Sequence, residues 1–505
     1  MRHQHALRLG IVGLSSACGL VVEIVAGRMV APYLGMSLYT WTAIIAVVLA
    51  GFSVGHWLGG LLAERAPRQA LRGVGWSLLL AGISTAATLI AIRWLAPALI
   101  RADLGAVATV LAITALLFFP PSLFVGIPSP VLTKLAIDDE LRTRSGRTIG
   151  AYYAIGAVGS IAGTLAAGFV FISWFGTTWT LLVVAGLYAA MSLVVFRLAA
   201  VEGRKEMAAP TAAAAAFVCA FVPIGLSTSA FTDPCRVASS YYCIRVVDVS
   251  AAHAAPARAL ILDHLGHGIN LRDKPQRLVS PYVELHDSLA RIHAGRRTPF
   301  RVFFVGGGAY TLPRAWLAAR PDTEAIVAEI DPAVTRTAEQ QLWLKRTQRL
   351  RVLHADARVG LARMPQGSLD VVVGDAFHDI VIPPHLVSKE FFQLVASRLH
   401  GDGIYLMNVV DHRTRPRLAL SMARTIAESF ETVEIWAASG MGRRATYVLA
   451  AVRRATPYDV LASKASPGTR FRRMTGAEVA SLQAKLEPIV LTDDFAPVDR
   501  LIGVE

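Results

Sequence analysis

"VFFVGGGAYTLPRAW", residues 302–316, is an apolar run that closes in three consecutive glycines and opens into a helical pattern. Without side chains the backbone can approach a ligand closely, and the first turn of the helix that follows offers free N–H groups. A loop of this kind normally cradles a nucleotide. The residue after the third glycine is the small, neutral Ala309, and the reading of the whole chain turns on which nucleotide that permits.

Outward from this stretch, apolar runs alternate with helical patterns: "FRVFFVGGG", "EAIVAEIDP", "RLRVLHADA", "LDVVVGDAF" and "GDGIYLMNVV". Strands alternating with helices imply parallel βαβ units and a doubly wound sheet, with the ligand at the carboxyl ends of the strands. Each of the first four runs delivers a functional residue there. The first gives Gly306, Gly307 and Gly308; the second gives Glu329, placed to accept from ribose hydroxyls, with Asp331 in the same motif. The third gives Asp356, an acceptor for an adenine amino group, followed by Ala357, and the fourth gives Asp375 at the mouth of the site. Taken singly, a glycine triplet is a turn, Glu329 a solvated strand end and Asp356 a helix cap. In register, and with no phosphate-binding lysine motif, they favour an adenosyl nucleoside such as S-adenosylmethionine or a relative.

The sulfonium of such a nucleoside undergoes two reactions. Attack at the methyl group is methyl transfer; attack at the methylene of the longer chain is alkyl transfer and releases methylthioadenosine. An amine nucleophile is protonated near neutral pH, so a carboxylate must take its proton and hold it in line. Asp375, with Tyr282 and Asp379 nearby, fits that role, whereas His378 reads as a surface residue.

Upstream the composition changes. The chain has 505 residues and a mean hydropathy of +0.48, with the apolar residues concentrated before about residue 230. About seven uncharged stretches, centred near residues 18, 51, 82, 114, 160, 188 and 218, are each long enough to cross a hydrocarbon core of ~30 Å as a helix. Small residues at Gly51, Gly55 and Gly59, and at Gly156, Ser160, Gly163 and Gly168, make faces on which helices can approach closely. Pro120, Pro121, Pro128 and Pro130 predict that the fourth span ends there in a re-entrant turn. Glu23 and Arg28 in the first span are charges with either a structural or a transport role. The first span lacks a cleavage site and reads as retained rather than as a signal peptide. Between residues 231 and 297, "YYCIRVVDVS" and "ARALILDHLGHGINL" read as a small antiparallel β unit.

A net charge of +14, without a basic stripe interleaved with aromatics, points to an anionic membrane surface and excludes nucleic acid as the expected partner. Four cysteines exclude a disulfide scaffold, no metal-ligand spacing occurs, and Cys235 and Cys243 can pair only if their segment lies outside the cytoplasm. The loops "ERAPRQALR", "KLAIDDELRTRSGR" and "EGRKE" are basic, whereas "APYLGMSLY" and "WFGTT" are uncharged. By the positive-inside rule, seven spans then leave the C-terminal domain outside. The expectation is nevertheless a multi-pass protein of the cell (inner) membrane with a cytoplasmic domain, because adenosyl sulfoniums are made in the cytoplasm.

At these residues the chain resembles the spermidine synthase family of aminopropyltransferases, and especially its membrane-bound branch, in which a multi-span region is fused to a synthase-like domain. "EIVAGRMVAPYLG" and "YTWTAIIAVVLAGFSVG" look like the membrane branch; "LILDHLGHG", "SPYVEL", "GGGAY", "AEIDP", "HADAR", "DAFHDIVIPPHLVSKEFF" and "LTDDFAPV" look like the synthase part. The resemblance implies a multi-pass α-helical membrane domain over 1–230, a β unit over 231–297, and an α/β Rossmann-like domain of the class I methyltransferase type over 298–505. It makes Gly306 to Gly308 the nucleoside loop, Glu329 the ribose ligand, Asp356 with Ala357 the adenine pair and Asp375 the base. Tyr282 and Glu284 match two members of the family's Tyr-His-Glu triplet, whose histidine is here Val283, and His267 falls where soluble members have glutamine beside the donor. Asp379 stands one residue further from Asp375 than the second aspartate of soluble synthases, so the amine end departs most from the family.

The implied reaction is transfer of an aminopropyl group from decarboxylated S-adenosylmethionine to a diamine such as putrescine, with methylthioadenosine released and neither cofactor nor metal required. Direct turnover of S-adenosylmethionine, a methyltransferase on the same sheet, and a polyamine transporter or sensor built on Glu23 are the alternatives. The lipid bilayer is the expected partner, and a homodimer is a candidate assembly. Soluble aminopropyltransferases carry an aspartate after the glycine triplet, which would repel the carboxylate of intact S-adenosylmethionine. Ala309 removes that repulsion, unless Asp263 or Asp379 takes over the gate.

Overall fold

The computed structural model describes residues 2–102, 104–139, 145–199, 205–295, 297–377, 381–440, 442–464, 466 and 468–502. The chain forms two compact units, Met1–Ser240 and Tyr241–Val504. The antiparallel β unit therefore belongs with the α/β domain rather than standing between two others.

Among the described residues, seven helical stretches are long and apolar enough to cross a membrane: Gln4–Leu34, Leu38–Ala63, Pro67–Arg101, Val107–Asp139, Ser145–Phe171, Trp174–Ala199 and Ala208–Ser227. Their inward faces form an apolar core that includes Val25, Val48, Leu78, Phe118 and Val131. Trp57, Trp94 and Trp174 point outward at 65%, 66% and 80% exposure, an arrangement suited to lipid and costly in water. The glycines are contact points. A Cβ on Gly55 would lie 2.2 Å from the Leu123 carbonyl oxygen, and one on Gly163 would lie 2.2 Å from that of Ala17.

Two expectations change here. The helix Ala106–Gly126 runs through Pro120 and Pro121 and yields only at Ile127, before Pro128–Asp139 continues; prolines in apolar helices are tolerated where neighbours absorb the lost hydrogen bond. In the fifth span Gly159 takes the place expected of Gly168. A Cβ on Gly159 would lie 2.1 Å from the Gly13 carbonyl oxygen, whereas Gly168 faces open space. Gly168 falls in the π turn Ala167–Phe171, which rotates the face away.

In the second unit, strands β1 (Cys243–Asp248), β2 (Ala257–Leu262) and β3 (Leu265–Leu271) pair antiparallel. The second of the two expected runs is thus a hairpin in itself, turning at Asp263, whose φ is +53°. A mixed sheet follows from β4 (Phe300–Val305), β5 (Thr323–Ala328), β6 (Leu350–Leu353), β7 (Leu369–Gly374), β8 (Leu399–His412), β9 (Thr432–Ala438), β10 (Arg444–Val452), β11 (Val460–Ala462) and β12 (Arg470–Arg473). Its order is β11-β12-β9-β10-β8-β7-β4-β5-β6. Strands β4 to β8 pair parallel, while β9 to β12 add antiparallel, a Rossmann-like arrangement of the methyltransferase type. The direction of winding reverses between β4 and β7, where a ligand crevice opens in such sheets.

Candidate active site

Register brings the site together. Val305 pairs with Ala328 on one side and with Gly374 on the other, so the next residues, Gly306, Glu329 and Asp375, leave the sheet at one level. Gly306 has a φ of +94°, and a Cβ there would lie 2.9 Å from the Asp375 carbonyl oxygen, which restricts the position to glycine. Tyr310, at a φ of +55°, completes the turn into the helix Thr311–Ala319 and is tied to Thr335 through their hydroxyls at 2.7 Å.

Glu329 does more than the sequence reading allotted to it. One carboxylate oxygen accepts from Gly307 N and Gly308 N at 2.9 and 3.2 Å, and the other accepts from Asp331 N at 2.9 Å. Burial pushes its carboxyl above the usual range, and those three amides pull it back. The group expected to bind ribose is therefore also the brace of the glycine loop, with an acceptor site left for a hydroxyl. Asp331 lines neither cavity of the site: its carboxylate accepts from Ala333 N at 2.8 Å and caps the helix Pro332–Gln341. Asp356 is both cap and wall, since one oxygen accepts from Arg358 N and Val359 N while the other bonds His385 Nε2 at 2.7 Å.

Two adjoining cavities share Gly306, Gly308, His267, Asp375 and Phe377. The smaller, about 100 Å³, is lined by Glu329, Asp356, Ala357 and His385, as a nucleoside site requires. The larger, about 280 Å³, is lined by Tyr282, His286, Ala309, Thr311 and Asn408, so the room for a second substrate lies on that side. Asp375 stands at the junction. Its carboxylate accepts from the Tyr282 hydroxyl and from Asn408 Nδ2, both at 3.3 Å. Burial pushes Asp375 up to about 6, although those two hydrogen bonds act to lower it. Burial, with the Asp375 charge beside it, raises the Tyr282 hydroxyl well above its ordinary value, so Tyr282 remains a donor. Burial takes His267 down to about 4, which leaves it neutral.

Glu284 departs from expectation. It lines neither cavity and instead accepts from the Ser463 hydroxyl at 2.7 Å and from Lys464 N. On the helix Pro281–Ala294 it lies two residues beyond Tyr282, on the far face, whereas His286, four residues on, shares the Tyr282 face. The sequence reading did not single out His286 or Asn408; helical phase from Tyr282 is the signal for the first, and the end of the fifth parallel run for the second. Ala309 is buried beside Gly268, and its carbonyl accepts from Asn270 Nδ2 at 2.7 Å. Asp263 lines neither cavity and accepts from Cys243 N at 2.9 Å. Asp379 and His378 lie outside the described residues.

Over 135 residues, 26% of the chain, the sequence is 30% identical to a polyamine aminopropyltransferase of Vibrio vulnificus. The chain spans less than half of that curated relative, 44% of its length, and no family model matches. Among solved structures, the chain is similar to a probable spermidine synthase from Corynebacterium glutamicum, at 20% identity and a TM-score of 0.45, over 52% of this chain and 97% of that one. A spermidine synthase from Thermotoga maritima aligns at 19% identity and a TM-score of 0.31, over 40% and 67% of the two chains. Human methyltransferase-like protein 13 aligns at 20% identity and a TM-score of 0.30, over 44% and 100%.

Proposed function

We propose that the synthase-like domain is an aminopropyltransferase-type enzyme that takes an adenosyl sulfonium donor and an amine acceptor and releases methylthioadenosine. The observation that carries this reading is the position of Asp375, a buried carboxylate raised to about 6 that lines both the nucleoside cavity and the larger cavity beside it. At neutral pH it is ionised and able to take a proton. In the reaction Asp375 takes a proton from the entering ammonium, the freed amine nitrogen bonds to the methylene of the sulfonium chain, the carbon–sulfur bond breaks with its electron pair returning to sulfur, and the new secondary ammonium leaves protonated. Charge supports the choice of substrate. The carboxylates Glu329, Asp356 and Asp375 line the cavities and, among the described residues, no lysine or arginine does, in a chain of net charge +14. A cationic sulfonium suits such a cleft; a nucleoside polyphosphate does not.

Decarboxylated S-adenosylmethionine with a diamine is the leading pair, and turnover of intact S-adenosylmethionine is favoured as the second by Ala309, which sets no carboxylate against the donor's own. Product analysis with each donor, with and without putrescine, tests the reading. Amine-dependent release of methylthioadenosine is expected; S-adenosylhomocysteine as the product would make the domain a methyltransferase and overturn it.

The reading extends to location. The seven apolar helices suit a multi-pass membrane protein, and we propose that the synthase-like domain faces away from the cytoplasm, against the expectation drawn from donor supply. An odd number of spans with basic loops inside supports that side.

A further inference from the structure

The larger cavity is walled by polar atoms that have nothing to bond. His286 Nε2, Thr311 Oγ1 and Asn408 Oδ1 are each sealed from solvent and lack a hydrogen-bond partner, and all three residues line that cavity. Buried polar atoms are almost always paired, and here three residues that carry such an atom stand in the wall of one chamber beside Asp375. The surroundings define its chemistry. His286 is 1% exposed, lies one helical turn beyond Tyr282, and meets that ring edge-on at a centroid distance of 5.8 Å. Tyr282 in turn donates to Asp375, so His286 stands behind the residue that orients the base. Burial holds the imidazole down to about 3, hence neutral, and it adds no charge to repel a cation. Asn408 donates its Nδ2 to Asp375, which leaves Oδ1 as a second neutral acceptor beside the same carboxylate. Leu265, Val283, Phe304 and Val410 supply apolar wall between these groups.

We propose that His286 is a binding residue for the acceptor: its Nε2, together with Asn408 Oδ1, takes the nitrogen of a primary amine borne on an aliphatic chain and presents it to Asp375. The inference rests on the aminopropyltransferase reading and assigns the acceptor half of the same site. Neutral acceptors suit a nitrogen that must give up its proton, because they hold the free amine without stabilising the ammonium as a second carboxylate would. Thr311 opens the helix that follows the glycine loop and lines the same larger cavity.

Calorimetry on the full-length protein, saturated with methylthioadenosine and titrated with putrescine, tests this. His286→Phe keeps a ring of similar bulk without the acceptor and should weaken putrescine about tenfold, the loss expected for one hydrogen bond, while methylthioadenosine affinity is unchanged. His286→Asn, which restores a polar group, should recover part of that loss. Equal putrescine affinity in wild type and His286→Phe, or parallel loss of both ligands, overturns the assignment. A wild-type protein that binds methylthioadenosine but no putrescine also overturns it and leaves the nucleoside site standing. Failure of the wild type to bind methylthioadenosine overturns the functional reading itself.

Discussion

In the proposed reaction Asp375 moves a proton and Ala309 sets which donor is admitted, and each role has its own test. Asp375→Asn retains a group of the same shape that accepts no proton, so turnover should fall ~10²–10⁴-fold while methylthioadenosine still binds. A pKa raised to about 6 fixes the sign of the pH dependence: below that value the carboxyl is protonated and idle, so kcat should climb as pH rises through about 6 and then level off. A profile flat from pH 5 to 8 would remove Asp375 as the base. Ala309→Asp sets a carboxylate in the cavity wall where none stands. It should depress binding of intact S-adenosylmethionine and spare or improve that of the decarboxylated donor. Calorimetry with the two donors decides it, and equal effects on both would sink the idea that position 309 selects between them.

At the scale of elements, the glycine loop and the end of β5 form one device. Because Glu329 accepts from Gly307 N and Gly308 N, its replacement does more than remove a ribose contact. Glu329→Gln puts an amide opposite two backbone donors, and only its oxygen can answer them. Affinity for every adenosyl ligand should drop, with a smaller effect on kcat, since these contacts are shared by ground and transition states. Intact affinity would detach Glu329 from the nucleoside site. The elements that carry these groups are legible in the sequence because each parallel strand is a continuous apolar run that ends in its own loop. What stayed hidden has identifiable causes. Glu284 was read by its place in a triplet, but a helix presents residues by phase, and phase from Tyr282 selects His286. Asp331 carried the cap signature Asp-Pro in plain view, and the structure uses it as a cap. Strands β9 and β10, though rich in apolar and β-branched residues, are joined without a helix, so they lack the strand–helix alternation that marks the parallel strands in the sequence. The two cavities depend on side chains from strands distant in sequence, and no local pattern encodes them.

For the whole molecule, the proposed placement of the C-terminal unit away from the cytoplasm has a direct test. A reporter fused after residue 502 should be active in its exported form and silent in its cytoplasmic form, in keeping with the seven spans and the basic loops. The reverse pattern would restore the cytoplasmic placement and require that one helix not cross. The charge of the molecule has a kinetic consequence. From Tyr241 onward the chain carries 34 lysines and arginines against 27 aspartates and glutamates, a net +7 that repels a cationic substrate at a distance, while Glu329, Asp356 and Asp375 attract it only once it has entered the crevice. Counter-ions screen the first effect over a Debye length of about 10 Å at 0.1 M salt and barely reach the second. Association of a sulfonium should therefore quicken as ionic strength rises from low values, the opposite of an ordinary electrostatically steered encounter, so that dilute buffer would be the condition in which this site is slowest to fill.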